Sequence, residues 1–122
     1  MSLIESILEE AHGVSRRDPS FPHAPDGWTP AVARHIAKQE KLAMTEDHWD
    51  VVRALQTYWV QHANKGIHLR GLHDALEERF HSEGGIKYLY QLFPRGPVAQ
   101  GCRLAGLAAP AGATDKGFGS IA

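Results

Sequence analysis

This chain of 122 residues has no long hydrophobic run, no strong charge of either sign and only one cysteine. A membrane-spanning helix needs about 20 consecutive apolar residues, so we expect no transmembrane segment. The net charge of −1 argues against a strongly basic nucleic-acid binder. A single cysteine excludes an intramolecular disulfide and favours the reducing cytoplasm. The N-terminal stretch also lacks the basic region and apolar block of a signal peptide.

The composition predicts one folded domain. The hydrophobic fraction of 43% is close to that of globular proteins. Residues 1–28 predict an N-terminal helix over 2–12 followed by a Pro-rich connector. Residues 29–107 predict a helical domain, and residues 108–122 form a Gly-rich C-terminal arm that we expect to be mobile.

Helical periodicity dominates the central stretch, and no alternating segment predicts a strand. Thr29 before Pro30 predicts a helix start, with Val32 and Ile36 facing the core. Thr45 predicts the start of a second, central helix. The residues of this helix that we expect to be buried are Trp49, Val52, Leu55, Tyr58 and Trp59. A third helix is predicted near His68–Phe80, with Leu72, Leu76 and Phe80 buried. A fourth is predicted over Ile86–Phe93, with Ile86, Leu89, Tyr90 and Phe93 buried. A last helical turn or two covers Val98–Ala105. We therefore predict a mainly α fold, an orthogonal helical bundle.

The third and fourth helices resemble a helix-turn-helix, an element that often binds DNA. The fourth helix offers only Lys87 and Gln91 as outward polar groups, and the third carries Asp74, Glu77 and Glu78. Phosphate binding needs a basic face, so the charges argue against nucleic acid as a partner. A regulatory use of this pair on DNA stays an alternative.

Eight histidines raise the question of a metal site. His62, His68, His73 and His81 fall in one region, but no pair among them has the i, i+4 spacing that places two imidazoles on one helix face. We predict exposed or capping histidines and no metal. No Gly-rich phosphate loop, paired carboxylates or Ser-His-Asp arrangement suggests a cofactor or a stand-alone enzyme.

Cys102 allows two interpretations. A free cysteine is most often a small buried hydrophobic residue. However, no Asp or Glu occurs between Gly84 and Thr114, whereas Lys87, Arg95 and Arg103 are present. Nearby cations lower the pKa of a thiol, so this neighbourhood favours an accessible, activated Cys102.

Two long motifs carry a resemblance to a known family. The run KYLYQLFPRGP at residues 87–97, continuing VAQGCRLAGL to Leu107, resembles the C-terminal signature of the DsrC/TusE family. The run EDHWDVVR at residues 46–53 is similar to that family's HW-x-VV helix. The resemblance covers about residues 27–112.

The resemblance implies a small, mostly helical, cytoplasmic sulfur carrier without a cofactor. In this family the DsrC branch works with dissimilatory sulfite reductase, whose gamma subunit it was once called, and the TusE branch passes persulfide sulfur towards tRNA thiolation. The implied partners are therefore sulfite reductase-type or sulfur-relay proteins. The oligomeric state is not implied. The family usually begins with a β-hairpin, whereas residues 1–27 here predict a helix and a connector.

The sequence departs from the family at its working end. The family uses a next-to-last cysteine on its C-terminal arm, and DsrC adds an upstream one in the context QGC. Cys102 matches the upstream cysteine, but Ala113 stands in the place of the terminal one. Two hypotheses follow. Cys102 is a sulfur-carrying or redox thiol supported by Arg103, Arg95 and Lys87, or the chain is a partner-binding or regulatory member without sulfur transfer.

Overall fold

The computed structural model describes residues 18–113, and every regular element within them is helical. This confirms the mainly α class. The elements are α1 (Pro30–Gln39), α2 (Glu46–His62), α3 (Leu69–Arg79), a 3₁₀ turn (His81–Glu83), α4 (Gly85–Leu92) and α5 (Pro97–Ala105). The helix predicted over residues 2–12 and the arm beyond Ala113 lie outside the described residues. No helix in the described part is long and apolar enough to cross a membrane.

Helix α5 lies at the centre of the bundle, packed against α1, α2 and α4. All of its residues except Arg103 are buried. Small side chains let its neighbours approach closely, because a Cβ atom added at Gly101 would lie 2.9 Å from Leu55 Cδ1. The sequence predicted α2 as the central element and only a turn or two here. The structure shows that the two helices share the core.

The predicted caps begin α1 and α2. Thr29 Oγ1 accepts the Val32 N–H at 3.4 Å, with Pro30 in the first turn. At the start of α2 the Thr45 N–H donates to His48 Nδ1 at 3.0 Å, so that nitrogen carries the lone pair. The other ring nitrogen, Nε2, then donates to the Leu92 carbonyl at 2.8 Å. One buried histidine thus caps α2 and fastens it to the end of α4.

Some side chains predicted to be buried are not. Val32 and Tyr90 are each 39% exposed. Helix α1 instead turns Ala33 and Ala37 into the core, while Ile36 is partly buried. On α4 the buried stripe runs through Leu89 to Phe93 at i, i+4 spacing, which rotates Tyr90 away from the core. The expectation that Val32 and Tyr90 face inward is therefore wrong.

On α2 the predicted burial holds for the aliphatic residues and only in part for the aromatic ones. Val52 and Leu55 are fully buried, as predicted. Trp49, Tyr58 and Trp59 pack against the core but keep part of their surface exposed. The aromatic residues of α2 thus lie at the border of the core.

Residues 18–28 contain turns and no helix, but they contribute to the core. Phe21 and Trp28 are 5% exposed and contact each other edge to face at 5.0 Å. Trp28 Nε1 donates to the Leu104 carbonyl at 2.7 Å. Gly106 ends α5 at a φ of +79°, and a Cβ there would lie 2.7 Å from the Trp28 ring. The connector is thereby fixed against the end of α5.

Candidate functional site

Cys102 is the only thiol of the chain, and it lies on the inner side of α5 with 0% of its surface exposed. Burial raises the pKa of Cys102 to about 12, and the nearby positive charge of Arg103 only partly opposes this effect. The prediction of an accessible thiol with a lowered pKa is therefore wrong. The sequence predicted only a helical turn or two over Val98–Ala105, but the structure has a full helix, α5, that passes through the core and carries the thiol with it.

The surroundings of Cys102 are not free of carboxylates either. Glu40, directly after α1, accepts from Arg103 through both oxygens, at 2.7 Å from Nε and 2.8 Å from Nη2. Arg95 Nη1 lies 3.5 Å from the same carboxylate. Burial alone would raise the pKa of Glu40, but Arg103, Gln100 and Arg95 outweigh it and hold that pKa below its ordinary value. Two of the three cations predicted to support a thiolate therefore pair with Glu40.

No local pattern in the sequence signals the Glu40 cluster, because Glu40 and Arg103 are 63 residues apart. Only the packing of α1 against α5 brings them together. The third predicted cation, Lys87, is exposed on α4.

The Gln-Gly-Cys motif of α5 acts as a packing unit in this structure. Gln100 is 1% exposed; its Nε2 donates to Glu40 at 3.0 Å, and its Oε1 accepts the Arg95 N–H at 3.1 Å. Gly101 admits the Leu55 side chain, as described above, and Cys102 fills the adjoining core. These contacts fix α5 between α1 and α2 and keep solvent away from the thiol.

Position 113 lies in a different environment from that of Cys102. A pocket of about 400 Å³ opens between α3 and the start of α5, and Ala113 forms part of its wall. The Ala113 side chain is partly buried against the core. Ala113, which we predict to stand in the place of the family's terminal cysteine, is therefore at a pocket, where alanine offers neither a nucleophile nor a sulfur atom.

The turn between α3 and α4 is held by an acidic residue. Glu77 accepts the Ile86 N–H at 3.0 Å and lies 3.3 Å from His81 Nδ1. The Ile86 hydrogen bond, followed by that with His81, lowers the pKa of Glu77. Glu77 thus caps α4. Within residues 18–113 no group of His, Cys, Asp and Glu is arranged to hold a metal ion.

Comparison with known proteins identifies the family. The family described as DsrC-like protein matches residues 11–113. The chain belongs to the DsrC-like family. The match includes α5, Cys102 and Ala113, and it confirms the resemblance stated from the two sequence motifs.

Relatives in this family share about two fifths of their residues with the chain. Sulfurtransferase TusE of Pectobacterium atrosepticum is 40% identical over 84 residues, which are 68% of this chain and 76% of that protein. Sulfurtransferase TusE of Photorhabdus laumondii is 38% identical over 68% of this chain and 75% of its own length. The NMR structure of Allochromatium vinosum DsrC is similar with a TM-score of 0.58 and 42% identity, covering 71% of this chain and 78% of that one. Neither the names of these relatives nor the contacts within residues 18–113 favour the DNA-binding alternative.

Proposed function

We propose that this chain acts in sulfur relay, as a DsrC/TusE-like protein that works with sulfur-transferring partners in the cytoplasm. The 40% identity to a protein named Sulfurtransferase TusE carries this proposal. The single cysteine of the sequence supports a reducing compartment. The partners that the resemblance implies are sulfur-relay proteins of tRNA thiolation or a sulfite reductase-type protein.

We also propose Cys102 as the residue that bears sulfur if this chain itself carries it, because no other side chain has a thiol. The Cys102 thiolate would attack the outer sulfur of a donor persulfide, R–S–SH. A new S–S bond forms at Cys102, the S–S bond of the donor breaks, and the donor leaves as the thiolate R–S⁻. The product is a Cys102 persulfide, and no external oxidant or reductant is needed.

This step requires α5 to move, because Cys102 is sealed in the core with a pKa raised to about 12. Opening must break the contacts of Gln100 and Arg103 with Glu40, which fasten α5 to the end of α1. Docking of a partner is a natural trigger, since a ligand that binds the open state shifts the population towards it.

A second candidate function is a partner-binding family member that does not carry sulfur. The burial of Cys102 together with alanine at position 113 favours it. Such a protein would keep the bundle as a docking surface and would compete with sulfur-carrying relatives for the same partners.

Intact-mass spectrometry after incubation with a low-molecular-weight persulfide separates the two functions. The native protein, a Cys102→Ser variant and an Ala109→Cys variant with a thiol at an exposed position are compared. A carrier gains one sulfur atom at Cys102, slowly alone and faster with its partner. The exposed thiol of the Ala109→Cys variant reports that the donor is active. If the introduced thiol gains sulfur but Cys102 gains none, with or without a partner, sulfur transfer at Cys102 is excluded and the partner-binding function is supported.

A further inference from the structure

The outward side of helix α1 carries positive charge and no carboxylate. No Asp or Glu occurs in residues 27–39. Arg34 and Lys38 are exposed and lie four residues apart, so they share one face of the helix. Two aliphatic residues of α1 and a lysine just beyond its end are exposed as well. We call this set of exposed residues the α1 face; it consists of Ala31, Val32, Arg34, His35, Lys38 and Lys41.

The cations of the α1 face are not neutralised within the described part of the chain. Among residues 18–113, neither Arg34 nor Lys38 nor Lys41 forms an ion pair with a carboxylate. The carboxylate that follows α1, that of Glu40, is turned inward, because its side chain is only 10% exposed and accepts from Arg103 through both oxygens. The α1 face therefore presents positive charge that the contacts of the bundle do not use.

An exposed aliphatic side chain accompanies these cations. Helix α1 turns Ala33 and Ala37 into the core and packs against α5, so its opposite side faces outward. Val32 on that side is 39% exposed, one of three large hydrophobic side chains so exposed among residues 18–113. Protein interfaces combine apolar contacts with a polar rim and are enriched in arginine, whereas surfaces that bind nucleic acid are more polar and much more positive. The exposed valine therefore favours a protein as the partner of this face.

We propose that the α1 face binds an acidic segment of a partner protein, whose carboxylates pair with Arg34 and Lys38 while an aliphatic side chain packs on Val32. Opposite charges accelerate the encounter and fix the orientation of the two partners, and the apolar contact adds buried area. The face ends beside Glu40, so a bound partner lies next to the contacts that hold α5 in place. The proposal concerns binding alone and stands whether or not Cys102 takes up sulfur.

Backbone amide NMR titration of the full-length chain tests this surface. The probe is a short synthetic peptide in which a central leucine is flanked on each side by a pair of glutamates. We expect saturable shifts of the amide signals of residues 31–41. Because these charges are exposed, the binding should weaken as the salt concentration rises from about 0.05 M to about 0.3 M.

Variants of exposed residues separate the contributions of charge and apolar contact. Since one exposed ion pair contributes roughly threefold in affinity, Arg34→Gln combined with Lys38→Gln should weaken binding about tenfold. Lys65→Gln combined with Lys87→Gln is the matched control, because it removes the same charge from exposed positions elsewhere and should change the affinity by less than about twofold. Val32→Ser should weaken binding without altering its dependence on salt.

Three results would overturn the proposal. In the first, the peptide shifts no signals of the α1 face, or the two double variants weaken binding equally, which would reduce the effect to general attraction between opposite charges. In the second, a single-stranded RNA of the same charge binds the α1 face more tightly than the peptide, which would assign the face to nucleic acid. In the third, the signals of the α1 face change with protein concentration alone, which would assign it to a second copy. Persulfide uptake at Cys102 is measured separately, so its failure would leave these results unaffected.

Discussion

The hydrogen bonds of Gln100 and Arg103 to Glu40, which we call the α5 clamp, hold Cys102 in the core and give a quantitative prediction for its reactivity. The ordinary thiol pKa of 9.0 rises to about 12 in the structure. Because one pH unit is a factor of ten, the thiolate fraction near neutral pH falls about a thousandfold. With 0% of the side chain exposed, iodoacetamide reaches Cys102 only when α5 opens. We therefore expect alkylation of the native protein to be far slower than that of the denatured protein.

Replacing Glu40 by glutamine should accelerate this labelling. Hydrogen bonds to charged groups contribute about 1.5–3 kcal/mol each when well formed. Since the Arg103 side chain is 33% exposed and glutamine keeps one acceptor oxygen, we expect a loss of about 2 kcal/mol in the free energy of opening. At 1.36 kcal/mol per factor of ten, labelling should become roughly 30-fold faster.

The assay follows alkylation by intact mass at fixed pH, with Glu78→Gln as the matched control. Glu78 is an exposed residue of α3, so its replacement changes the net charge equally without touching α5. The Ala109→Cys variant provides an exposed thiol in the same molecule, which should react first. Complete labelling of the native Cys102 at the rate of that exposed thiol would refute the buried position of Cys102. Equal rates in the Glu40→Gln and Glu78→Gln variants would refute the role of the clamp.

Three further predictions concern stability and the arm. Since the folded-state pKa of Glu40 is lowered, its contribution to the free energy of unfolding is complete above the unfolded pKa of 4.5 and is lost as the pH falls through the lower folded value. In acid titrations followed by urea unfolding, Glu40→Gln should lose less stability than the unaltered chain; identical pH profiles would contradict this. Leu55→Ala should lower the free energy of unfolding by about 2–5 kcal/mol, and Trp59→Ala should lower it less because the Trp59 ring is partly exposed. Equal losses in the two variants would show that Trp59 does not lie at the border of the core. In an Ala113→Cys variant the new thiol should alkylate while Cys102 stays protected, and ready formation of a disulfide between them under mild oxidant would show that α5 opens easily.

The sequence predicted what local signals determine. Thr29 and Thr45 begin helices through contacts that span only three residues. Thr29 Oγ1 accepts the Val32 N–H, and the Thr45 N–H donates to His48 Nδ1. The stripe of Leu72, Leu76 and Phe80 is buried as its spacing indicates. The family was evident from two motifs that are contiguous in sequence.

The sequence could not predict interactions between distant segments. The stretch from Gly84 to Thr114 has no acid, yet Glu40 reaches its arginines from another helix. Val32 and Tyr90 are apolar at plausible positions, but which face of α1 and α4 is buried depends on how those helices pack around α5. The burial of Cys102 has the same cause, since nothing local indicates that the helix on which it lies is central.

The Gln-Gly-Cys motif can therefore be maintained by packing as well as by chemistry. Gln100 ties the Arg95 backbone to Glu40, Gly101 makes room for Leu55, and the cysteine fills the space between them. Each residue has a structural reason to be where it is in the closed bundle. The motif alone thus does not establish sulfur transfer at Cys102. What would establish it is reaction of the thiol in an open state, because the closed state that holds Gln100 in place also withholds the sulfur atom from any donor.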